Sequence, residues 1–261
     1  MARRAPTQAQ RRREAATVLR LRDQFANSLR RKLEAEFKRV ASAAANSLPD
    51  WRTVLPLHRQ KLKDIMLPML TTAAMASAHH LRDTFRKGLP AEFVESKRGV
   101  NPTEAEIDAD IAKAVRSRAL QRIMDISRTT AKRINTQVEA GLANNETLTE
   151  IAARIREHVS GMSSARALTV ARTEVGIASA TAEQVEMRNT QEVLGITVIK
   201  IWSATKDDRT RETHADADGD EAKLDSPFIV GGAEMMHPMD PDGPPEEVIN
   251  CRCVLKYDYR D

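Results

Sequence analysis

The residues able to do chemistry lie at the C-terminal end of this 261-residue chain. Residues 201–261 carry Asp207, Asp208, Arg211, His214, an acidic turn at Asp218-Gly219, and the closing run Asn250-Cys251-Arg252-Cys253, which holds both cysteines of the protein. Cys251 and Cys253 offer two thiolates to a zinc ion, and His214 or His237 can add an imidazole nitrogen. The C-x-C spacing is tighter than the usual C-x-x-C and no second cysteine pair exists, so a zinc site needs one further group. The competing reading puts Cys253 on a strand as a small apolar group, with Cys251 on the opposite side. His214-x-Asp216-x-Asp218-Gly219 has a calcium-loop outline, with Asp225 in twelfth place. A histidine in the leading position argues against a cation that wants hard oxygen ligands, and the same residues make a β-turn with glycine at positive φ. His214 beside Asp207, Asp208 or Glu174 could act as an acid–base set, and Cys251 with His214 as a nucleophilic pair. That is the route to a metal-dependent hydrolase or nuclease using His214 with Cys251 and Cys253. No oxyanion hole, phosphate loop or cofactor fingerprint accompanies it. The reading adopted for Arg172, Glu174, Asp208, Arg211, Asn250 and Arg252 is a structural polar network, because the arginine fork binds carboxylates bidentately and can fix loops where apolar material is scarce. No catalytic residue is assigned, and zinc at His214, Cys251 and Cys253 is the one cofactor kept open.

These groups have to be positioned by a chain with few large side chains. Aromatic residues make up 3% of it, so its core must come from Leu, Ile, Val, Ala and Met, a composition that suits helices. The net charge of +4 is unevenly spread. Residues 1–40 hold 12 Lys/Arg against 4 Asp/Glu, and residues 201–261 hold 7 against 15. A basic arm carrying Arg11, Arg12, Arg13, Arg20, Arg30, Arg31 and Lys32 is therefore a candidate surface for DNA, RNA or an acidic partner; a solvated helix face is the plain alternative. No signal peptide and no membrane-length apolar run is seen, and two C-x-C cysteines do not make a disulfide framework, so a soluble protein in a reducing cytoplasm is expected.

Apolar periodicity predicts the scaffold. Residues 1–12 are expected to be irregular. Val18, Leu21, Phe25, Leu29, Leu33, Phe37 and Val40 then recur at helical spacing, up to a break at Leu48-Pro49-Asp50. A second helix, from about Pro56 to Lys87, carries Leu62, Ile65, Met66, Met69 and Leu70, with a kink or break expected at Pro68. Asn101-Pro102-Thr103-Glu104 predicts a helix start with Asn101 as cap, and Gly141 with Asn144-Asn145 its end. Thr147-x-x-Glu150 is a capping box for a short helix. The next helix carries Arg172-Thr173-Glu174. After Gly195 the pattern becomes β-branched and alternating at residues 196–202, and further short strands are expected at 228–230 and 253–257. The chain is thus α+β: a basic, elongated helical region over residues 1–144, then a small α+β domain over residues 145–261 with short antiparallel strands.

Taken together, Ala171-Arg172-Thr173-Glu174, Lys200-x-Trp202, Asp208-x-x-Arg211-x-x-His214, Asp218-Gly219, Pro227-Phe228, Pro241 and Asn250-Cys251-Arg252-Cys253 resemble the C-terminal domain of the phage Mu F-like head morphogenesis, or minor head, proteins. The resemblance covers about residues 148–261. It implies a non-enzymatic minor capsid protein of a phage or prophage, associated with the portal and with head or scaffold proteins. Contact with packaged DNA is a further expectation, as is residence in the virion, in the capsid interior or at the portal vertex, after assembly in the host cytoplasm. The same domain also occurs fused to toxin domains; the chain ends eight residues after Cys253, which favours the version without a toxin.

Overall fold

The computed structural model describes residues 8–89, 102–160 and 163–260, with side chains from residue 13 onward. Five helices form the larger part: α1 (Gln8–Asn46), α2 (Leu55–Lys87), α3 (Glu104–Ala143), α4 (Leu148–Ile155) and α5 (Ser163–Leu194). A single 3₁₀ turn at Trp51–Val54 leads into α2, and a π-helical turn at Arg156–Ser160 extends α4. The smaller part holds β1 (Thr197–Ser203), α6 (Glu212–Asp216), β2 (Glu221–Lys223), β3 (Phe228–Val230), β4 (Ala233–Met235), α7 (Pro245–Val248) and β5 (Val254–Arg260). The fold class is α+β, as the change of hydrophobic period at Gly195 implies.

The apolar stripe read along the first helix is the inner face of α1. Leu29, Leu33, Phe37 and Val40 are fully buried, while Val18, Leu21 and Phe25 are half-buried. They meet Leu62, Met66 and Leu70 of α2, Ile111, Val115 and Ile123 of α3, and Ala167, Ala171, Val175 and Ala178 of α5. The small residues on α5 let its neighbours approach closely, and every residue from Thr173 to Gln184 is buried. α5 is therefore the central helix, wrapped by α1, α2 and α3. The core crosses the boundary expected at residue 144, because α5 packs among helices that precede it.

Three glutamates on α5 would be costly in that position without cations. Each receives one from a different helix. Arg22 of α1 bonds Glu183 at 3.1 Å, Arg82 of α2 bonds Glu186 at 2.7 and 2.9 Å, and Arg122 of α3 bonds Glu174 at 2.9 and 3.0 Å. Burial still pushes the Glu174 and Glu183 carboxyls above the ordinary range, against the pull of their arginines. Such pairs specify which helix lies where more than they add net stability.

Several local expectations need correction. Helix α1 already runs through residues 8–12; residues 1–7 lie outside the described residues. α2 continues through Pro68 without a break, with the Thr71 and Thr72 hydroxyls donating to the Leu67 and Pro68 carbonyls. Asn101 lies outside the described residues, and the cap of α3 is Thr103, whose capping box with Glu106 draws on a residue one turn further in. Gly141 does not end α3. It sits inside the last turn, where a Cβ would lie 2.5 Å from Ile151 Cγ1, so glycine serves close packing of α4. The capping box of Thr147 and Glu150 is present as read.

Strand β1 is central in a three-stranded antiparallel sheet of order β2-β1-β5, with Thr197 opposite Arg260 and Ser203 opposite Val254. β3 and β4 form a separate hairpin closed by Gly231 and Gly232, both at positive φ, as a two-residue hairpin turn requires. A second core gathers Trp202, Phe228, Val230, Met235, Met239, Val248, Cys251, Cys253 and Leu255 with Ile177 of α5. No helix among the described residues is long and apolar enough to cross a membrane.

Candidate metal centre

The loop from β1 to α6 and the segment entering β5 bring three soft or borderline donors together. His214 lies on α6 facing inward and is 1% exposed; Cys251 and Cys253 immediately precede β5 and are also buried. The donor atoms of His214, Cys251 and Cys253 all lie within 4.8 Å of one another. His214 Nδ1 is 3.3 Å from Cys253 Sγ and 3.4 Å from Cys251 Sγ. Alternation along a strand does not separate the two sulfurs, because the segment before Val254 is not yet extended in the sheet and Asn250 turns the chain at φ 59°.

The other face of the imidazole is also held. His214 Nε2 is 2.8 Å from Glu247 Oε2, short enough for an ion pair but out of hydrogen-bond alignment, so Nε2 has no hydrogen bond. Thr213 Oγ1 donates to the same carboxylate oxygen at 3.0 Å. Glu247 approaches across Gly231, where a Cβ would come within 2.4 Å of Glu247 Oε1. Trp202 packs edge-on against the ring, with centroids 5.5 Å apart and an interplanar angle of 87°.

The two thiols titrate as a pair. The hydrogen bond with Cys253 lowers the Cys251 thiol below its ordinary range; the Cys253 backbone N–H, at 3.4 Å from Cys251 Sγ, and the Arg211 and Arg22 guanidiniums add to this. Cys253 is pushed the other way, first by that same hydrogen bond and then by burial, with His214 opposing. The cluster therefore loses its first thiol proton more readily at Cys251 than at Cys253. It has the donor types of a zinc site, with a carboxylate behind the histidine as such sites use to fix the ring.

The residues read as one polar network occupy several separate contacts. Glu174 turns into the helical core to meet Arg122, and not toward Arg172 or Arg211. Arg172 Nε lies 4.0 Å from Asp23 and is buried without a hydrogen bond. Arg211 donates to the Ile249 carbonyl at 2.7 Å. Arg252 grips Asp207 through both ends of its fork and holds that carboxyl below the usual carboxylate range, while Asp208 is exposed and forms no ion pair among the described residues. The two motifs meet through a neutral side chain: the Asn250 N–H donates to Thr173 Oγ1 at 3.0 Å. The calcium outline dissolves as well. His214 points inward, Asp216 is exposed, Asp218 accepts from the Ala204 N–H at 3.0 Å, and Asp225 pairs with Arg188. His237 is buried apart from the cluster, with Nδ1 2.9 Å from the Pro238 carbonyl.

Thr173, Thr213, Glu247 and Trp202 shape the site but were not picked out for it. Threonine and glutamate near a turn carry no periodic signal, and Glu247 sits on a helix of four residues. Of the basic residues, Arg13, Arg20, Arg31 and Lys32 are exposed and Arg30 is half-buried 3.4 Å from Glu34; the side chains of Arg11 and Arg12 lie outside the described residues.

Comparison with known proteins matches residues 132–256 to the family described as Phage Mu protein F like protein. The chain is also similar to the NAD(+)--arginine ADP-ribosyltransferase EFV of Enterococcus faecalis, 35% identical over 124 residues, which is 48% of this chain and 25% of that protein. The chain therefore spans about a quarter of the length of that relative. No solved structure matches. The match runs from the last turns of α3 through α5 to β5 and takes in His214, Glu247 and both cysteines, and over these residues the chain is similar to the Phage Mu protein F like family.

Proposed function

We propose that this chain is a structural, non-enzymatic minor head protein of a phage or prophage, built into the virion during head morphogenesis through contact with the portal or with head and scaffold proteins. The observation that carries the reading is the family match over residues 132–256, with α5 as the element shared between that region and the helices before it. Phage head morphogenesis is what the match over residues 132–256 suggests. Portal association and DNA contact are the finer steps of the proposal, and the surface of α1 supports them. Arg13, Arg20 and Arg31 are spaced by 7 and 11 residues, which returns to the same face of a helix, and that face is opposite Leu29, Leu33 and Val40. They span about 27 Å at the α-helical rise.

α1 is not a detachable arm, since Leu29, Leu33 and Phe37 are core residues. A test by deleting residues 1–40 would unfold the bundle. The appropriate variant is Arg13→Glu, Arg20→Glu, Arg31→Glu, measured for co-purification with the portal protein and for DNA binding across a salt series. The expected result is normal folding with partner or DNA binding lost, DNA affinity in the unmodified protein falling steeply with salt. A folded triple variant that binds portal and DNA as before would remove α1 from the proposal, and a particle assembled without the protein would remove the head role.

A further inference from the structure

The geometry at His214 is not explained by packing alone. One N–H on Nδ1 can align with a single acceptor, yet Nδ1 is placed almost equally from two sulfurs, at 3.3 and 3.4 Å. With Zn–S near 2.3 Å and Zn–N near 2.0–2.1 Å, a tetrahedral zinc ion needs N···S edges of roughly 3.6 Å. The observed separations are close to that on both edges. Glu247 lies 2.8 Å behind Nε2, so a proton carried on that nitrogen faces a carboxylate and the Nδ1 lone pair is then left toward the sulfurs. The glutamate is itself fixed by Thr213 and admitted by Gly231, so the ring is oriented from behind by three residues. The Cys253 N–H directed at Cys251 Sγ favours a thiolate at that sulfur, the form that binds a metal.

Among the described residues no fourth His, Cys, Asp or Glu joins the three donors. Glu247 is on the far ring nitrogen and cannot serve. Cys251 does, however, line a small cleft of about 20 Å³, walled by Leu19, Arg22 and Asp23 of α1, Arg172 of α5 and Met239. That is room for one water molecule, with polar groups around it.

We propose that His214 Nδ1, Cys251 Sγ and Cys253 Sγ bind one Zn²⁺ ion, that a water in the adjoining cleft completes its tetrahedron, and that the ion pins the start of β5 to α6. Binding replaces the thiol protons by the metal and releases them to solvent. The ion's role is to hold the loops of the smaller part, whose strands and helices are short. Arg22 carries the connection onward: it donates to the Cys253 carbonyl at 3.3 Å while pairing with Glu183 of the central helix.

The test uses the full-length protein purified under reducing conditions. Elemental analysis after dialysis is expected to give one zinc per chain, and exchange with Co²⁺ to give the visible bands of a tetrahedral site together with thiolate-to-cobalt charge transfer. Cys253→Ser should lose the ion. Because that variant can fail to fold, Glu247→Gln is the second: it keeps all three donors and should weaken zinc binding about 10–100-fold. Folded wild-type protein that takes up no zinc, or binds Co²⁺ with the weak bands of an all-oxygen site, overturns the proposal. So does a freshly reduced protein whose two thiols react equally fast with and without added zinc.

Discussion

Replacing Arg82 with methionine tests whether the buried arginines organise the helical bundle. Arg82 is 5% exposed and reaches Glu186, itself 1% exposed, through two nearly parallel bonds of 2.7 and 2.9 Å. Its contact with the exposed Glu104, at 3.6 Å, contributes little. Arg82→Met fills much of the same volume but leaves the Glu186 carboxylate in the core without a cation. Removing one partner of a buried pair costs about 3–5 kcal/mol. At about 2–4 °C per kcal/mol for a chain of this size, the melting temperature should fall by roughly 10 °C. The assay is thermal and denaturant unfolding followed by circular dichroism, for Arg82→Met, Glu186→Leu and the double variant. The double variant should recover most of the loss, since well-packed apolar pairs replace buried ion pairs at little net cost. A loss below about 1 kcal/mol in Arg82→Met would mean that the pair behaves as a surface contact, and the reasoning from burial would be refuted. A double variant as unstable as the single would show instead that the bundle needs the charges themselves.

Other outcomes are expected on the same grounds. Gly141→Ala should destabilise by about 1–2 kcal/mol despite the better helix propensity of alanine, because its Cβ would sit 2.5 Å from Ile151 Cγ1, and Ile151→Ala in the same chain should relieve that clash in a double-mutant cycle. Thr147→Ala should cost about 1 kcal/mol in denaturant unfolding by removing the capping box of α4. Asp207, held below the ordinary carboxylate range by Arg252, contributes stability above its unfolded-state pKa that is lost as pH falls toward the lower folded value; Asp207→Asn should flatten this part of the acid limb, and an NMR titration of Asp207 reads it directly. Burial brings Lys200 down to about 8, against the pull of Asp225 and Asp240. Its ammonium therefore opposes folding at neutral pH, and stability should rise between about pH 8 and 10.5 relative to Lys200→Met.

The helices were legible because each carries a long stripe at one period, and Val18 through Val40 and Ile107 through Ile134 mark faces that are buried or half-buried in the bundle. The central place of α5 was harder to see. Its core positions are mostly alanines, Ala167, Ala171, Ala178 and Ala182, whose small side chains do not show how many neighbours close around them. Of its three glutamates only Glu174 was singled out, as part of a polar network with other partners, since a sequence does not show that Arg22, Arg82 and Arg122 arrive from other helices. At the candidate centre the donors were legible by type, and the structure brings His214, Cys251 and Cys253 together. Their support was not, because Thr213, Glu247 and Gly231 come from two short helices and a hairpin turn, elements too short to carry a periodic signal. The charged residues were grouped too broadly: proximity in motif order put Glu174 with Arg211, whereas the helical twist of α5 sends it to Arg122.

The three arginine-clamped glutamates also bear on how the matched region can be carried between proteins. A segment beginning at residue 145 would contain α5 and the whole of the smaller part, but none of Arg22, Arg82 or Arg122. Glu174, Glu183 and Glu186 would then stand as uncompensated carboxylates on a bared alanine surface. Any chain that borrows this region must therefore bring helices of its own with cations at matching heights. The glutamates then act as a lock that limits which preceding helices can be grafted on, and a segment from residue 145 onward is expected to be unstable without such helices.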